Sequence, residues 1–300
     1  MSLADRDQRV LLLTGDLGFS VVEPFAERFR DRFFNVGVSE QNLIGLATGL
    51  AESGFIPFVY SIATFATLRP YEFIRNGPVL QGLQVRVLGI GGGFEYGHAG
   101  MSHHALEDLG ILRLQPGLMV FAPADYRQAE SALLATWDLP GPAYYRVGKH
   151  ESREVPGLDG RFCLGRIERL GSGRDVALVV TGSLGAEAEA TSRLLGTHGV
   201  NASVLIVATL NPAPRDELAG LLAGFPLALT IESHYAVGGL GSLVAETVAE
   251  RGLPCRVLRS GVEQRHGAMN GSEEFLLRQH GLHREGLAQR VLTALGPART

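Results

Sequence analysis

Apolar and polar positions follow two alternating patterns along this chain: short continuous apolar runs and longer amphipathic stretches. The apolar runs predict strands that are buried on both faces of parallel sheets. They lie at 10–15, 33–38, 55–62, 84–90, 118–123, 143–148, 176–182, 202–207, 227–233 and 254–261. The amphipathic stretches predict helices, chiefly at 40–54, 126–138, 184–199 and 239–252. Such alternation is typical of α/β folds with parallel sheets.

The pattern weakens between residues 150 and 172, in a stretch that carries turn residues and charges but no long apolar face. The sequence therefore predicts two doubly wound α/β domains, at 1–150 and 173–300, joined by a linker at 151–172. Both domain lengths are near the common size.

Composition and charge exclude several classes of protein. The 300 residues are 45% hydrophobic and 19% charged, which is globular rather than disordered or fibrous. The net charge is −4 and no stripe of Lys or Arg occurs, so we expect no nucleic-acid partner. The start MSLADRDQRV lacks the apolar core of a signal peptide, and the longest nearly apolar stretch, LLAGFPLALTI, is too short to span a bilayer. We therefore expect no membrane association and a cytoplasmic location.

Candidate chemistry begins at Glu40, where the strand at 33–38 passes into the helix at 40–54. In open parallel sheets, ligands bind at the carboxyl ends of strands, which is where Glu40 is expected. A Glu at the start of a helix usually complements the helix dipole. The apolar residues around it, from Phe33 to Ile44, instead favour a lone desolvated carboxyl that shares a proton with a ring nitrogen of a ligand.

An aromatic segment, YSIATFATLRPYEFIRN at 60–76, follows the next predicted strand. It carries Phe65 and Tyr71, among other aromatic residues. Aromatic residues at helical spacing are usually core, and the alternative is that they form an apolar slot for a flat heterocycle.

A glycine-rich loop, GIGGGFEYGHAGMSHHALEDLG at 89–110, carries His98, His103 and His104. Its glycines allow the backbone to approach a ligand closely. Metal binding is not favoured, because adjacent His103 and His104 cannot easily ligate one ion and no nearby Cys or spaced carboxylate completes a site. Acid–base or hydrogen-bonding roles fit imidazole groups better, and a solvated loop with incidental histidines is the alternative.

These segments occur in the same order and spacing as in the pyrimidine-binding half of transketolase-like thiamine diphosphate enzymes, which this chain resembles. The shared motifs are VGVSEQN, the TF-containing aromatic segment, the loop ending in SHHALED, LMVFAPAD and AYYRVGK. The segment IESHYAVGGLGSLVAE at 231–246 also resembles the transketolase C-terminal domain. The resemblance thus covers nearly the whole chain. It implies a pyrimidine-binding domain followed by a transketolase C-terminal-like domain.

The resemblance implies that Glu40 is the carboxylate that protonates the aminopyrimidine ring of thiamine diphosphate and so promotes formation of its ylid. It implies that Phe65, Leu68 and Tyr71 contact that ring, with Leu68 standing where many transketolases have an aromatic residue. His103 is similar to the substrate-facing catalytic histidine of the family. The implied substrate-binding residues are Ser20, His98, His103, His104 and Arg146.

Two positions depart from the family pattern. Ala99 stands where transketolases usually have an aspartate that contacts a substrate hydroxyl. The stretch Gly91–Gly93 lacks the family histidine that helps to hold a sugar phosphate. We therefore expect transfer of a two-carbon ketol or acyl unit from a ketose-type donor to an aldehyde-type acceptor, with unusual substrates.

The GDG motif, through which full-length family members hold Mg²⁺ and the cofactor diphosphate, does not occur in this sequence. The resemblance therefore implies that this chain binds only the pyrimidine end of thiamine diphosphate and holds no metal. A separate N-terminal, diphosphate-binding subunit would hold the Mg²⁺, in an α₂β₂ heterotetramer with closed twofold symmetry. We also expect self-dimer contacts, supported by the second domain.

Two alternative functions stay open. The β subunit of a 2-oxo-acid dehydrogenase or decarboxylase complex has the same two-domain plan and a similar glutamate, although SHHALED and YYRVGK favour the transketolase side. A non-catalytic subunit that only stabilises a partner is the alternative of another class, and it would tolerate Glu40→Gln.

Overall fold

The computed structural model describes residues 1–149, 154–263 and 269–296. The strands are β1 (Val10–Thr14), β2 (Phe33–Asn35), β3 (Ile56–Ile62), β4 (Arg86–Ile90), β5 (Met119–Phe121), β6 (Ala143–Val147), β7 (Glu168–Leu170), β8 (Val176–Val180), β9 (Ala202–Ile206), β10 (Thr209–Asn211), β11 (Leu227–Tyr235) and β12 (Arg256–Val262). The helices are α1 (Ser2–Arg6), α2 (Glu23–Arg28), α3 (Glu40–Glu52), α4 (Ala63–Thr67), α5 (Tyr71–Ile74), α6 (Asp108–Arg113), α7 (Tyr126–Thr136), α8 (Gly185–Thr197), α9 (Arg215–Leu222), α10 (Leu240–Glu250), α11 (Glu273–Gln279) and α12 (Arg284–Leu295). Within the described ranges, none of these helices is long and apolar enough to cross a membrane.

The strands form two sheets, of seven and five strands. The larger sheet has the order β10-β5-β6-β4-β3-β1-β2, and the smaller has the order β12-β11-β8-β9-β7. Pairing is parallel except at one edge of each sheet, where β10 runs antiparallel to β5 and β7 antiparallel to β9. Because β4, β3, β1 and β2 are parallel neighbours, the loops that follow them meet at one edge of the larger sheet, called here the loop edge.

Every strand that the apolar runs predict is present, and the predicted fold class of two α/β domains is confirmed. The structure adds β7 and β10, which sequence analysis missed. β7 lies inside the predicted linker 151–172 but pairs with β9 of the smaller sheet. β10 lies in the predicted second domain but extends the larger sheet. The two predicted domains therefore share a strand, and residues 150–153 of the linker region lie outside the described residues.

Helix α3 begins at Glu40, as predicted, and ends two residues before the predicted end at residue 54. Leu43 and Ile44 are fully buried on its inner face, as expected for an amphipathic helix. Gly54 follows the helix with a φ of 89°, a left-handed conformation that commonly ends helices. Packing of this inner face holds Glu40 at the loop edge.

The part of the chain that forms most of the larger sheet is called here the first unit, and the part that forms the smaller sheet the second unit. The two units pack together through an apolar core and through polar side-chain contacts. Residues of both units share one hydrophobic cluster. The Gly110 N–H donates to Nε2 of His234 over 3.0 Å, and Arg113 pairs with Glu246 at 2.8 Å. These contacts fix α6, which directly follows the glycine-rich loop, against the second unit.

Candidate functional site

Glu40 lies at the loop edge and is 4% exposed, as expected from its apolar surroundings. Its carboxylate accepts hydrogen bonds from Nη1 of Arg69, at 2.9 Å to each oxygen. The sequence did not predict this charged partner. The Arg69 side chain is 46% exposed, so the ion pair borders solvent on the arginine side.

A continuous stack of side chains leads from this ion pair to His103. The guanidinium carbon of Arg69 lies 4.0 Å from the centroid of the Phe65 ring. Phe65 also contacts the imidazole of His103, edge-on, with ring centroids 4.9 Å apart. His103 Nδ1 lies 3.0 Å from Oγ of Ser102, which leaves Nε2 for another partner. The structure thus brings together Glu40, Phe65 and His103, three residues that the sequence predicted for one site.

The glycine-rich loop extends the site beyond His103. Gly91 has a φ of 75°, and a Cβ at this position would lie 2.2 Å from the ring of Tyr96, so glycine is required where the ring folds over the loop. The Tyr96 and His103 ring centroids are 6.3 Å apart, and Nζ of Lys149 lies 4.2 Å from the Tyr96 centroid. Burial and the neighbouring Tyr96 raise the pKa of Tyr60, which completes this part of the site.

Leu68 and Tyr71, the two other predicted cofactor contacts, are not part of the row formed by Arg69, Phe65 and His103. Leu68 is 44% exposed, at the end of α4. The Tyr71 hydroxyl donates to the Ile111 carbonyl oxygen at 3.1 Å and accepts a hydrogen bond from Gln115, so it is tied to α6 and the segment after it. Their contact with a cofactor stays a prediction.

The other two histidines of the loop, His98 and His104, lie in different environments. His98 is exposed. His104 is buried, its ring lies edge-on to Phe94 with centroids 5.1 Å apart, and burial lowers its pKa. Phe94 also stacks on His280, at 5.2 Å between centroids, so His104 faces the second unit. A substrate-binding role for His104 stays a prediction.

The two predicted phosphate-contact residues also differ from expectation. Arg146 is 5% exposed and pairs with Asp108 at 2.8 Å, beneath the loop. The ion pair already neutralises this buried guanidinium, and the expected role of Arg146 in substrate binding stays a prediction. Ser20 is exposed with a φ of 66°, and its N–H donates to Oε1 of Glu23 at 2.8 Å.

Exposed apolar side chains border the loop edge. They follow the carboxyl ends of adjacent strands, on the loops after β1 and β2, after α4, and on the glycine-rich loop. These residues, called here the apolar rim, are Phe19, Val21, Val38, Leu68 and Met101. Exposed apolar residues collected around a polar site are typical of interaction surfaces.

The arrangement offers a buried carboxylate, an aromatic ring and an imidazole, with Arg69 between the carboxylate and the ring. Such groups can hydrogen-bond a ring nitrogen, stack on a flat ring and contact a substrate oxygen. Among the described residues, no group of three or more His, Cys, Asp or Glu is arranged to hold a metal ion.

Sequence analysis missed Arg69, Tyr96 and Lys149 as parts of the site. Arg69 follows Phe65 by four residues, a spacing that brings side chains together on a helix, so this contact had a readable signal. Tyr96 and Lys149 meet only because the loop after β4 folds back onto the end of β6, and no sequence spacing predicts that.

Comparison with known proteins gives the family. Residues 1–154 match the model of the transketolase pyrimidine-binding domain, and residues 165–287 match that of the transketolase C-terminal domain. An apulose-4-phosphate transketolase subunit of Phocaeicola vulgatus is 30% identical over 97% of this chain and 93% of its own length. The 6-deoxy-6-sulfo-D-fructose transketolase subunit of Clostridium sp. is 32% identical over 94% of this chain and 87% of its own length.

A solved structure has the same fold throughout. It is a split-gene transketolase described as an inactive beta4 tetramer, with a TM-score of 0.86, 35% identity, and coverage of 98% of this chain and 94% of that one. This chain therefore belongs to the transketolase family, as a chain composed of the pyrimidine-binding and C-terminal domains.

Proposed function

We propose that this chain supplies the pyrimidine-binding half of a thiamine diphosphate site, in a transketolase-type enzyme that transfers a two-carbon unit from a ketose-type donor to an aldehyde-type acceptor. Family membership supports the class of enzyme. The single observation that carries the cofactor role is the buried Glu40 carboxylate in line with Phe65 and His103 at the loop edge.

The donor set fits an aminopyrimidine ring. Glu40 offers a buried carboxylate for a ring nitrogen, and Phe65 offers an aromatic face for stacking. Both groups are in contact with Arg69, whose half-exposed side chain can turn towards solvent. When bound, thiamine diphosphate supplies the nucleophilic carbon and the electron sink.

The chain's own residues hold and move protons around that chemistry. Glu40 exchanges a proton with the ring nitrogen through its carboxylate, which is buried. With Nδ1 of His103 engaged by Ser102, Nε2 is the nitrogen that hydrogen-bonds a substrate oxygen. The edge-on contact with Phe65 helps to hold the imidazole of His103 in place.

A diphosphate-binding partner subunit, with Mg²⁺ held on that partner, belongs to the same proposal. The apolar rim supports it, since these side chains lie on loops of the loop edge and are exposed in the single chain. The relatives named above are subunits by name, and the beta4 assembly of the solved relative is described as inactive. We propose an α₂β₂ heterotetramer in which Glu40 faces the partner's half of the cofactor site.

The substrates are proposed to be sugars that carry a phosphate or a sulfonate. The two relatives are named for apulose 4-phosphate and for 6-deoxy-6-sulfo-D-fructose, which share an anionic group on the sugar chain. Ala99, in place of the family aspartate, favours a donor other than the ordinary ketose phosphates.

Glu40→Gln tests the proposal in the complex with the diphosphate-binding subunit, obtained by co-purification. Since the amide cannot exchange the proton, we expect the rate of two-carbon transfer to fall by about 10²–10⁴-fold, measured with the best donor from a panel that includes xylulose 5-phosphate and 6-deoxy-6-sulfo-D-fructose. Size-exclusion chromatography should show unchanged assembly.

A Glu40→Gln complex with wild-type turnover would instead support the non-catalytic stabilising subunit. Efficient use of pyruvate as donor by the wild-type complex, with no ketose activity, would support the 2-oxo-acid enzyme.

A further inference from the structure

The last residues of β11 make contacts that the proposed site does not use. Ser233, His234 and Tyr235 are consecutive in the second unit, and each of them meets the glycine-rich loop or the helix α6 that follows it. The Tyr235 N–H donates to the carbonyl oxygen of Leu106 at 3.0 Å. Residues 233–235, called here the β11 end, therefore connect the second unit to the loop that carries His103.

Ser233 lies against the beginning of the glycine-rich loop. A Cβ on Gly93 would lie 1.9 Å from Oγ of Ser233, so the loop backbone approaches this side chain without space for a methyl group. Gly93 and Ala105 exchange two backbone hydrogen bonds, each of 2.9 Å, which join the two ends of the loop. The β11 end thus supports the loop at the place where its ends meet.

His234 supports α6 at its first turn. The N–H groups at the start of a helix have no acceptor within the helix, and the N–H of Gly110 is one of these. This buried N–H donates to Nε2 of His234 at 3.0 Å. A buried N–H without an acceptor costs about as much free energy as a lost hydrogen bond, so the imidazole fixes the position of this turn.

The second nitrogen of the His234 ring fixes its tautomer. Nδ1 lies 2.7 Å from the Tyr235 carbonyl oxygen, and because a carbonyl oxygen only accepts, Nδ1 carries the hydrogen. Nε2 is then the acceptor that the Gly110 N–H requires. The Glu232 carboxylate, 3.8 Å from Nδ1, accepts two backbone N–H groups at the start of α10. The His234 side chain is 1% exposed, so it is enclosed in this arrangement.

We propose that His234 is a positioning residue for two-carbon transfer: as a hydrogen-bond acceptor it holds α6 and the glycine-rich loop in the arrangement in which His103 meets the substrate. The proposal rests on the proposed function and deepens it, because it gives a residue of the second unit a part in the reaction. His103 lies three residues before Leu106 and seven before Gly110, the two positions that the β11 end holds. A displacement of about 1 Å in a catalytic group can lower a rate by about 10²-fold.

The first test compares two variants in the complex with the diphosphate-binding subunit. His234→Phe keeps a ring and removes the acceptor, and we expect kcat for two-carbon transfer to fall about tenfold or more. The Kd for thiamine diphosphate should stay within about twofold, because Glu40 and Phe65 lie on α3 and α4, outside this loop. His234→Gln restores an acceptor and should recover most of kcat. An unchanged kcat in His234→Phe, or no recovery in His234→Gln, would overturn the proposal.

Val291→Ala separates positioning from general stability. Val291 is fully buried in α12, which packs against α8 in the second unit. Loss of its buried methyl groups should lower the urea midpoint of the chain at least as much as His234→Phe does. We expect its kcat to stay within about twofold of the wild-type value. A loss of kcat equal to that of His234→Phe would show that stability alone is responsible and would overturn the positioning role.

Hydrogen exchange of the complex, followed by mass spectrometry, does not depend on turnover. In His234→Phe we expect the amides of residues 93–110 to exchange about tenfold faster, while those of β8 and β9 keep their wild-type rates. His234→Gln should exchange like the wild type. Unchanged exchange at 93–110, or equal acceleration throughout the second unit, would contradict a directed contact.

The two proposals fail differently. A wild-type complex that transfers no two-carbon unit, with exchange at 93–110 still accelerated by His234→Phe, removes the proposed function and leaves the contact between His234 and α6. An active complex in which His234→Phe retains the wild-type kcat removes the positioning role alone.

Discussion

At the scale of single residues, Arg69 occupies the two groups that a pyrimidine ring would use. It donates to both Glu40 oxygens at 2.9 Å and covers the Phe65 ring at 4.0 Å. A half-exposed ion pair of this kind contributes roughly 0.2–1 kcal/mol, so a ligand with good complementarity can displace it. Cofactor binding therefore competes with this contact.

Arg69→Met should tighten binding of thiamine diphosphate to the complex, because the competing ion pair is lost. We expect the Kd to fall by about fivefold, in line with a pair worth up to about 1 kcal/mol. Titration calorimetry of the complex with Mg²⁺ present measures this directly. Arg69→Lys, which keeps the charge, is the control. Weaker binding in Arg69→Met would mean that the guanidinium helps to hold the cofactor.

The sequence predicted the environment of a residue correctly where its neighbours in the chain determine that environment. Glu40 is buried because apolar residues surround it in the chain, and this was readable. The ion pair of Arg146 could not be predicted from the sequence, because its partner Asp108 lies 38 residues earlier in the chain and meets it only in the folded protein. Tertiary pairing of this kind carries no signal in spacing.

At the scale of elements, the glycine-rich loop rests on the segment that precedes and includes α11. A Cβ on Gly97 would lie 2.5 Å from the carbonyl oxygen of Gly271 and 2.7 Å from Cδ1 of Leu276. The backbone of the loop thus touches the second unit without space for a side chain. His103 is six residues along the same loop, so this contact supports its position.

Gly97→Ala should destabilise the chain by about 1–3 kcal/mol, because the added methyl group forces the loop and α11 apart. Gly49→Ala is the matched control: this glycine is exposed in α3 with nothing within 4 Å of the added Cβ. The control should stabilise the chain by about 0.5–1 kcal/mol through lower backbone entropy of the unfolded state. Urea unfolding of the isolated chain measures both. Equal effects would contradict a tight contact at Gly97.

Most elements were predictable because their apolar runs are long. β8 and β9 are buried at every position, and their sequences VALVV and ASVLI show it. β7 and β10 are three residues each and have partly exposed positions, so they carry no pattern. Their strand conformation comes from the edges that they pair with, β9 and β5.

At the scale of the whole molecule, Glu95 links the stability of the two units to pH. It is a buried residue of the glycine-rich loop, close to Ser183 and Glu273 of the second unit, and it accepts a hydrogen bond from the Lys149 N–H. Burial, followed by the nearby Glu273 carboxyl, raises the pKa of Glu95 from 4.5 to about 7, against smaller opposing effects that include Ser183 and Arg146. Tyr96 also faces this carboxyl.

Between pH 4.5 and about 7 the folded chain holds a proton on Glu95 that the unfolded chain has lost. The free energy of unfolding therefore falls as pH rises through this window, by roughly 3 kcal/mol in total, and Glu95 adds no further change above it. Below pH 4.5 both states are protonated and the stabilisation is fully present.

Glu95→Gln should remove this slope, because the amide cannot ionise. Free energies of unfolding from urea titrations at several pH values between about 4.5 and 8, for wild-type and variant, measure the difference. Glu130→Gln, at an exposed position of α7, is the matched control and should keep the wild-type slope. Parallel curves for wild-type and Glu95→Gln would show that this carboxyl does not govern the pH dependence.

The strand β10 has a consequence for recombining this chain with its relatives. This strand comes from the second half of the sequence, and it pairs with β5 at the edge of the larger sheet. Consider a chimaera, joined near residue 160, whose second half comes from another protein and lacks a segment equivalent to β10. Its Met119–Phe121 strand would have unpaired backbone groups at the sheet edge, and these can pair with a strand of another molecule. Designers who graft one half onto another must therefore transplant Thr209–Asn211 along with the first half.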